Sequence, residues 1–358
     1  MFGLIIKRYR RVFVALLLFI VITFLFAFVF PYFVLGYRSA YIISHVIPAV
    51  PRIFELGNYK VEMREVEISS EPLQRIDLYW PKGAEKTGFI IFFPGFNPHG
   101  SRDSRLVNLA NAFAGAGIGV AVPDSANIKE TKLSRKDIDL IKDTFNFLIA
   151  QDYADSRRIG LSGFSIAGSY ILRAGAELGE DPVFAHALGA GYDLEELFAE
   201  IISEKAVYRE SRAAFLKERQ WQPDSLPKEV VTRVISEYML EPQKTMLLSR
   251  KGPLEYQEAR KFLQFLSGDF LREIEQISPA PVLKNIKTRV FLMHDKNDNL
   301  IPVEESRKMH DALSETSEVS YQEFSSFKHV TPANLPFREI FGLFRQVFTI
   351  ISILYVRS

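Results

Sequence analysis

The chain has 358 residues, 47% of them hydrophobic, and a formal net charge of +1. That length can bury one large core or two small ones, and the near-neutral charge predicts no nucleic-acid partner. The sequence contains no cysteine, which excludes disulfides, thiolate metal sites and cysteine catalysis.

The N-terminal segment is the most apolar part of the sequence. No charged residue occurs from Val12 to Tyr37, a run long enough to cross a bilayer, and four basic residues precede it: Lys7, Arg8, Arg10 and Arg11. This pattern predicts a basic segment and transmembrane anchor over 1–37, with a cytoplasmic N-terminus and the following residues outside the cytoplasm. A cleaved signal peptide is one alternative, although Arg38 stands where a small residue is wanted. A buried soluble helix is the other.

Residues 38–58 are predicted to form a membrane-proximal linker, and strand and helix patterns alternate from residue 59 to the C-terminus. Strands are predicted at Tyr59–Ser69, Leu73–Trp80, Gly88–Phe93, Ile118–Asp124, Ile159–Leu161, Val183–Tyr192, Arg289–His294 and Val319–Phe324. Helices are predicted at Arg105–Ala116, after a capping box of Ser134 with Asp137, at Ile166–Ala176, at Pro302–Leu313 and near the C-terminus. This alternation predicts a mostly parallel sheet covered by helices, with the functional site beyond the carboxyl ends of the strands.

One segment, about 193–286, breaks the alternation. It carries several amphipathic helical patterns without a convincing strand, and Asp193 with Glu196 has capping-box spacing at its start. A helical insertion between two strands of the sheet predicts a lid over the strand ends. Ordinary surface helices are the alternative.

Small residues flank a serine in the stretch "RRIGLSGFSIAGSYILRAGA". Ser165 follows a short buried strand and precedes an apolar helix, and Gly163, Ala167 and Gly168 surround it. A strand, a sharp turn at serine and a helix form a nucleophile elbow, which needs small neighbours so that strand and helix can approach closely. The usual G-x-S-x-G pattern has alanine at its last position here, with glycine one residue later.

A serine hydroxyl needs a base, which is itself oriented by a carboxylate. Asp298 lies in the loop after a predicted buried strand, in "MHDKNDNLIP", and His329 follows the last strand, in "SSFKHVTP". The order Ser165, Asp298, His329 is that of the α/β-hydrolases, and from residue 59 onward the chain resembles this superfamily. "HDKNDNLIP" is similar to its H-G-x-x-D-x-x-x-P segment, and the spacing favours Asp298 as the acid over the alternative, Asp295.

The same resemblance implies an oxyanion hole built from two backbone N–H groups, those of Ile166 and Phe96. His99, in the loop that contains Phe96, either touches substrate or caps a turn, and His294 is predicted to be structural. We expect no metal, because the remaining histidines, His45, His186 and His310, lack partners at ligand spacing. Asp124 also ends a strand, but it precedes the serine and is out of the expected order.

These observations predict a membrane-anchored α/β-hydrolase over residues 59–358 that carries a helical lid. The resemblance implies a serine hydrolase. We expect it to cleave a carboxylic ester or thioester of a small-molecule or lipid-like acyl substrate through an acyl-enzyme, without a cofactor. An acyltransferase or peptidase of the same fold, and a catalytically inactive binding module, are the alternatives.

Overall fold

A computed structural model describes residues 29–52, 58–68, 74–203, 227–249, 254–266, 268–298, 300–327, 329–330 and 335–355. Its centre is an eight-stranded sheet in the order β1-β2-β4-β3-β5-β6-β7-β8. The strands are β1 (Val61–Ile68), β2 (Gln74–Pro81), β3 (Thr87–Phe93), β4 (Gly119–Pro123), β5 (Ala154–Phe164), β6 (Phe184–Leu188), β7 (Arg289–Asp295) and β8 (Val319–Phe324). β1 pairs antiparallel with β2 and β2 antiparallel with β4, whereas all the other pairs are parallel. The predicted mostly parallel sheet is confirmed.

Helices cover both faces of this sheet. They are α1 (29–46), α2 (Ser104–Gly115), α3 (Ala126–Glu130), α4 (Lys136–Ile149), α5 (Ile166–Leu178), α6 (Leu194–Ile202), α7 (Pro227–Ile235), α8 (Glu241–Ser249), α9 (Tyr256–Gln264), α10 (Gly268–Ile277), α11 (Val303–Leu313) and α12 (Phe337–Leu354). Every residue of β3, β4 and β6 is buried, as continuous apolar strands between two helical layers require.

Two predicted helix starts have different outcomes. Asp193 caps α6, since its carboxylate accepts hydrogen bonds from the N–H groups of Glu195 and Glu196. The capping box predicted for Ser134 and Asp137 forms only in part: α4 begins at Lys136, and the Ser134 hydroxyl oxygen accepts a hydrogen bond from the Lys136 N–H at 3.2 Å. The carboxylate of Asp137 is turned inward instead and accepts a hydrogen bond from the Ser125 hydroxyl.

The core forms on both sides of the sheet. On one face, α4 and α5 bury Phe145 and Ile171 against the strands. On the other, α1, α2 and α12 contribute Ile42, Phe113 and Ile351 to a second apolar cluster. The C-terminal helix therefore packs on the sheet, where it was predicted.

Helix α1 is held to this second layer by a buried cation. Arg38 is 8% exposed, its guanidinium donates to the carbonyl of Ala116, and it lies over the rings of Tyr59 and Tyr355. Cation–π contacts of this kind gain strength away from water. Part of the predicted linker thus packs against the remainder of the fold, while the domain limits at 37 and 58 stay a prediction.

The predicted membrane localisation needs correction. Residues 12–28 of the predicted span lie outside the described residues. In the part of the chain that the structure does describe, no helix has both the length and the apolar character that crossing a membrane demands. This finding overturns the single-pass localisation with a cytoplasmic N-terminus.

The segment between β6 and β7 contains helices α6 to α10, and all regular elements in its described part are helical. Helix α10 reaches back to α4, where the Glu273 carboxylate accepts a hydrogen bond from the Arg135 N–H at 2.7 Å. The insertion is therefore tied to the main body of the fold. Its role as a lid stays a prediction.

Candidate active site

Ser165 occupies a strained turn between β5 and α5, with φ 57° and ψ −135°. A positive φ is unusual for a residue with a side chain, and in the described part of the chain only Thr131, Ser165 and His329 share it. Hydrogen bonds hold the turn, because the Ser165 N–H donates to the Leu188 carbonyl at 2.8 Å and the Ser165 carbonyl accepts from the Gly168 N–H at 2.8 Å. The fold thus imposes the conformation that a nucleophile elbow requires.

The positions next to Ser165 leave no space for larger side chains. A Cβ at Gly163 would lie 2.3 Å from the carbonyl oxygen of Ala167, and one at Gly168 would lie 2.7 Å from the Cβ of Ala190. A larger residue at Gly163 or Gly168 would therefore collide with its neighbours and displace α5. The alanine at position 167, where the usual motif has glycine, is fully buried.

Asp298 and His329 meet although they lie on different loops. The Nδ1 of His329 is 2.6 Å from the Oδ2 of Asp298, and both residues are buried. The other carboxylate oxygen of Asp298 accepts hydrogen bonds from the N–H groups of Leu300 and Ile301, at 2.8 and 3.0 Å. The Oδ1 of the alternative acid, Asp295, accepts instead from the N–H of Asn297. The geometry favours Asp298.

The charge of Asp298 is stabilised by its neighbours. Burial by itself would raise the pKa of this carboxyl, but the adjacent His329 and hydrogen bonds from His294 and His329 outweigh burial. Together they hold the pKa of Asp298 well below its usual range. Asp298 is thus an anion that can orient an imidazole and stabilise its positive charge.

His329 and Ser165 lie at the same edge of the sheet. A Cβ at Gly189 would be 3.4 Å from two atoms of the His329 ring. Gly189 directly follows Leu188, whose carbonyl binds the Ser165 N–H. The structure therefore brings all three predicted catalytic residues to the carboxyl ends of β5, β6 and β7, and their catalytic roles stay a prediction.

The loop after β3 packs directly on the serine. A Cβ at Gly95 would lie 2.8 Å from the Cβ of Ser165, which leaves room for glycine only. Asn97 braces this loop, since its amide donates to the Gly95 carbonyl at 2.9 Å and its Oδ1 accepts from the N–H of His99 at 3.0 Å. The predicted oxyanion donor Phe96 lies between these fixed points, and the other, Ile166, is the first residue of α5.

Asp124 holds the far end of the same loop. Its Oδ1 accepts from the N–H of Ser101 at 3.2 Å, and its Oδ2 binds Arg75 and Lys129 at 2.7 and 2.8 Å. Burial opposes its charge, but these contacts outweigh burial and lower the pKa of Asp124. The sequence analysis rejects Asp124 as the catalytic acid, because it precedes the serine. Its position at the end of a strand is the one sequence feature that places it near this loop.

A second serine–histidine pair lies inside the sheet. The Ser162 hydroxyl is 2.7 Å from the Nδ1 of His186, both residues are buried, and burial lowers the pKa of His186 to about 4. His99, in contrast, is exposed. No group of three or more histidine, cysteine or acidic residues suited to a metal ion occurs among the residues with described positions.

No protein-family model matches the sequence. An uncharacterised 31.7 kDa Escherichia coli protein, from the traX-finO intergenic region, is 26% identical over 253 residues, which cover 68% of this chain and 84% of that protein.

Three solved structures resemble the fold at low sequence identity. A Bacteroides ovatus protein ascribed to dipeptidyl aminopeptidase IV has a TM-score of 0.53 and 12% identity, covering 84% of this chain and 36% of its own. The Pyrococcus horikoshii acylaminoacyl peptidase has a TM-score of 0.50 and 16% identity, with coverages of 85% and 43%. Est1E of Butyrivibrio proteoclasticus has a TM-score of 0.50 and 12% identity, with coverages of 80% and 97%. The chain spans less than half of either peptidase. With its sheet order and its serine turn, this protein has the α/β-hydrolase fold.

Proposed function

We propose that the protein is a serine hydrolase that cleaves a carboxylic ester or thioester through an acyl-enzyme on Ser165. One observation carries the proposal: the buried Asp298–His329 pair, joined at 2.6 Å, lies at the sheet edge where Ser165 is held in a strained turn. Backbone strain and a buried carboxylate beside a histidine are both features that cluster at functional sites.

The first step is activation of the Ser165 hydroxyl by His329. Because Nδ1–H of His329 donates to Asp298, the neutral imidazole has its Nε2 lone pair free to accept the Ser165 hydroxyl proton. The serine oxygen then forms a bond to the substrate carbonyl carbon. The oxyanion that develops is stabilised by the N–H groups of Phe96 and Ile166.

Collapse of this intermediate breaks the bond to the leaving group, which takes the proton from the His329 imidazolium. Water then attacks the acyl-enzyme, His329 accepts its proton, and release of the acid returns the proton to Ser165. Asp298 remains an anion throughout. The cycle uses side chains and backbone N–H groups of this chain only, with no cofactor.

The acyl group is proposed to come from a small-molecule or lipid-like substrate, with α6 to α10 as a lid beside the strand ends. Peptidases share this fold, and the machinery described above also serves amide cleavage or transfer to an alcohol. An ester is preferred because an ester or thioester leaving group departs more readily than an amine.

Labelling with a fluorophosphonate probe and turnover of p-nitrophenyl esters of graded chain length test the proposal. We expect wild type to be labelled at Ser165, and Ser165→Ala to lose labelling and at least about 10³-fold in turnover while remaining folded. Ser162→Ala is the matched control, because it removes the hydroxyl of the other serine–histidine pair three residues earlier. It should be labelled like wild type.

Undiminished turnover in Ser165→Ala would refute the assignment. Labelling that disappears in Ser162→Ala while Ser165→Ala retains it would move the nucleophile into the sheet. Product analysis with an added alcohol separates hydrolysis from acyl transfer, and a peptide panel tests the peptidase alternative. A folded wild-type protein that is neither labelled nor active would favour the inactive binding module.

A further inference from the structure

A second histidine touches the carboxylate of Asp298. His294 is in β7, and its side chain is fully buried. Its Nε2 is 2.8 Å from the Ile301 carbonyl oxygen and 3.3 Å from the Oδ2 of Asp298. Its Nδ1 is 2.6 Å from the hydroxyl oxygen of Ser306 on α11. The ring therefore connects a strand, the loop that carries Asp298, and a helix.

The proton arrangement follows from these partners. The Ile301 carbonyl can only accept, so Nε2 carries the hydrogen and shares it with Asp298. In the neutral ring, Nδ1 is then the acceptor for the Ser306 hydroxyl. The Ile301 carbonyl thereby selects the tautomer that presents an N–H group to the acid, and Ser306 holds the opposite side of the ring.

This N–H completes the shell around the carboxylate. The Oδ1 of Asp298 accepts from two backbone N–H groups, and its Oδ2 accepts from His329 and His294. Donors on both oxygens fix the rotation of the carboxylate about its side chain. The direction of the Oδ2 lone pairs decides where the His329 ring points.

We propose that His294 is a positioning residue for the reaction: it holds Asp298 in the rotation that aims His329 at Ser165. This inference rests on the proposed function, since it assigns Asp298 and His329 the roles given there. His294 touches neither substrate nor the reacting atoms. The sequence predicted only a structural role for His294, and the contact with Asp298 is seen in the structure alone.

Two variants of nearly equal size separate positioning from packing. His294→Gln keeps an N–H donor near the position of Nε2, whereas His294→Met fills the same space without a donor. We expect kcat of His294→Met to fall about 10²-fold, as for a misplacement on the order of 1 Å in a catalytic group, with KM changed less than about twofold. His294→Gln should recover most of this loss.

A proton NMR readout makes the test independent of turnover. The short hydrogen bond between His329 and Asp298 should give a low-field Nδ1–H resonance in wild type and His294→Gln, and the resonance should move upfield or vanish in His294→Met. Equal kcat and an unchanged resonance in His294→Met would overturn the inference. Equal losses in both variants would also overturn it, because they indicate packing alone.

Two further results remain decisive. If His294→Met does not fold by circular dichroism, Ser306→Ala replaces it: we expect a several-fold lower kcat and a shifted resonance, and no change in either refutes the inference. If wild type cleaves no ester, the proposed function fails. The resonance then still shows whether His294 orients the pair.

Discussion

The buried carboxyl of Asp137 should make the stability of this protein depend on pH. Its Oδ1 accepts hydrogen bonds from the Ser125 hydroxyl at 2.6 Å and the Asn127 amide at 3.2 Å, whereas its Oδ2 has no hydrogen-bond partner among the described residues. Burial raises the pKa of Asp137 to about 6, because the two hydrogen bonds do not offset the loss of solvation and Glu273 adds repulsion.

The direction of the pH dependence follows from the pKa of Asp137 in the unfolded chain and in the folded protein. The pKa rises from 3.8 in the unfolded chain to about 6 in the folded protein, so the unfolded state releases its proton first. The contribution to stability is complete below the unfolded pKa and is lost as pH rises through about 6. The difference between these two pKa values corresponds to a loss of roughly 3 kcal/mol in the free energy of unfolding at neutral pH. About 1 kcal/mol of it is already lost near pH 4.5.

Asp137→Asn removes this charge and keeps the shape of the side chain. We measure the free energy of unfolding in urea for the variant and for wild type at pH 4.5 and at pH 8. The difference, variant minus wild type, should be about 2 kcal/mol larger at pH 8 than at pH 4.5. Asp152→Asn, at an exposed turn, should show no such pH-dependent difference. The reasoning is refuted if the difference between Asp137→Asn and wild type is the same at both pH values, or if it is larger at pH 4.5.

Three other exchanges test the site and the fold. Asp298→Asn should lower kcat about 10³-fold or more in ester assays, and Asp295→Asn much less, because only one carboxylate orients the imidazole; the reverse ranking would move the acid. Gly95→Ala should lower kcat by about tenfold or more without unfolding the protein, because the alanine methyl group would displace the loop beside Ser165. Unchanged kinetics would contradict the close packing of Gly95 on Ser165. Arg38→Met should reduce the free energy of unfolding in urea by about 2 kcal/mol, from two lost ring contacts and one hydrogen bond, whereas exposed Arg52→Met should have little effect. Equal effects at the two arginines would indicate that α1 is not held by this cation.

The strands were readable in the sequence because burial on both faces leaves an uninterrupted apolar run. "FIIFF" and "VFLM" have this form, and they lie within the observed strands β3 and β7. The elbow was readable because a strained turn between close elements tolerates few residue types. The capping box at Ser134 is incomplete for a different reason. Its acidic member, Asp137, binds a residue of another segment, Ser125, whereas Ser134 keeps its contact with the helix start.

The sequence by itself determined the alternation of strands and helices, the position of Ser165 in a turn, and the chain order of the serine, acid and histidine. These features depend on burial and conformation within short segments, which residue types record directly. Only the tertiary structure decided that Asp298 faces His329, that Asp124 holds the loop beside the serine, and that His294 touches the acid. Such contacts join side chains from different segments, and a hydrogen bond depends on distances and angles that arise when parallel strand ends are brought side by side.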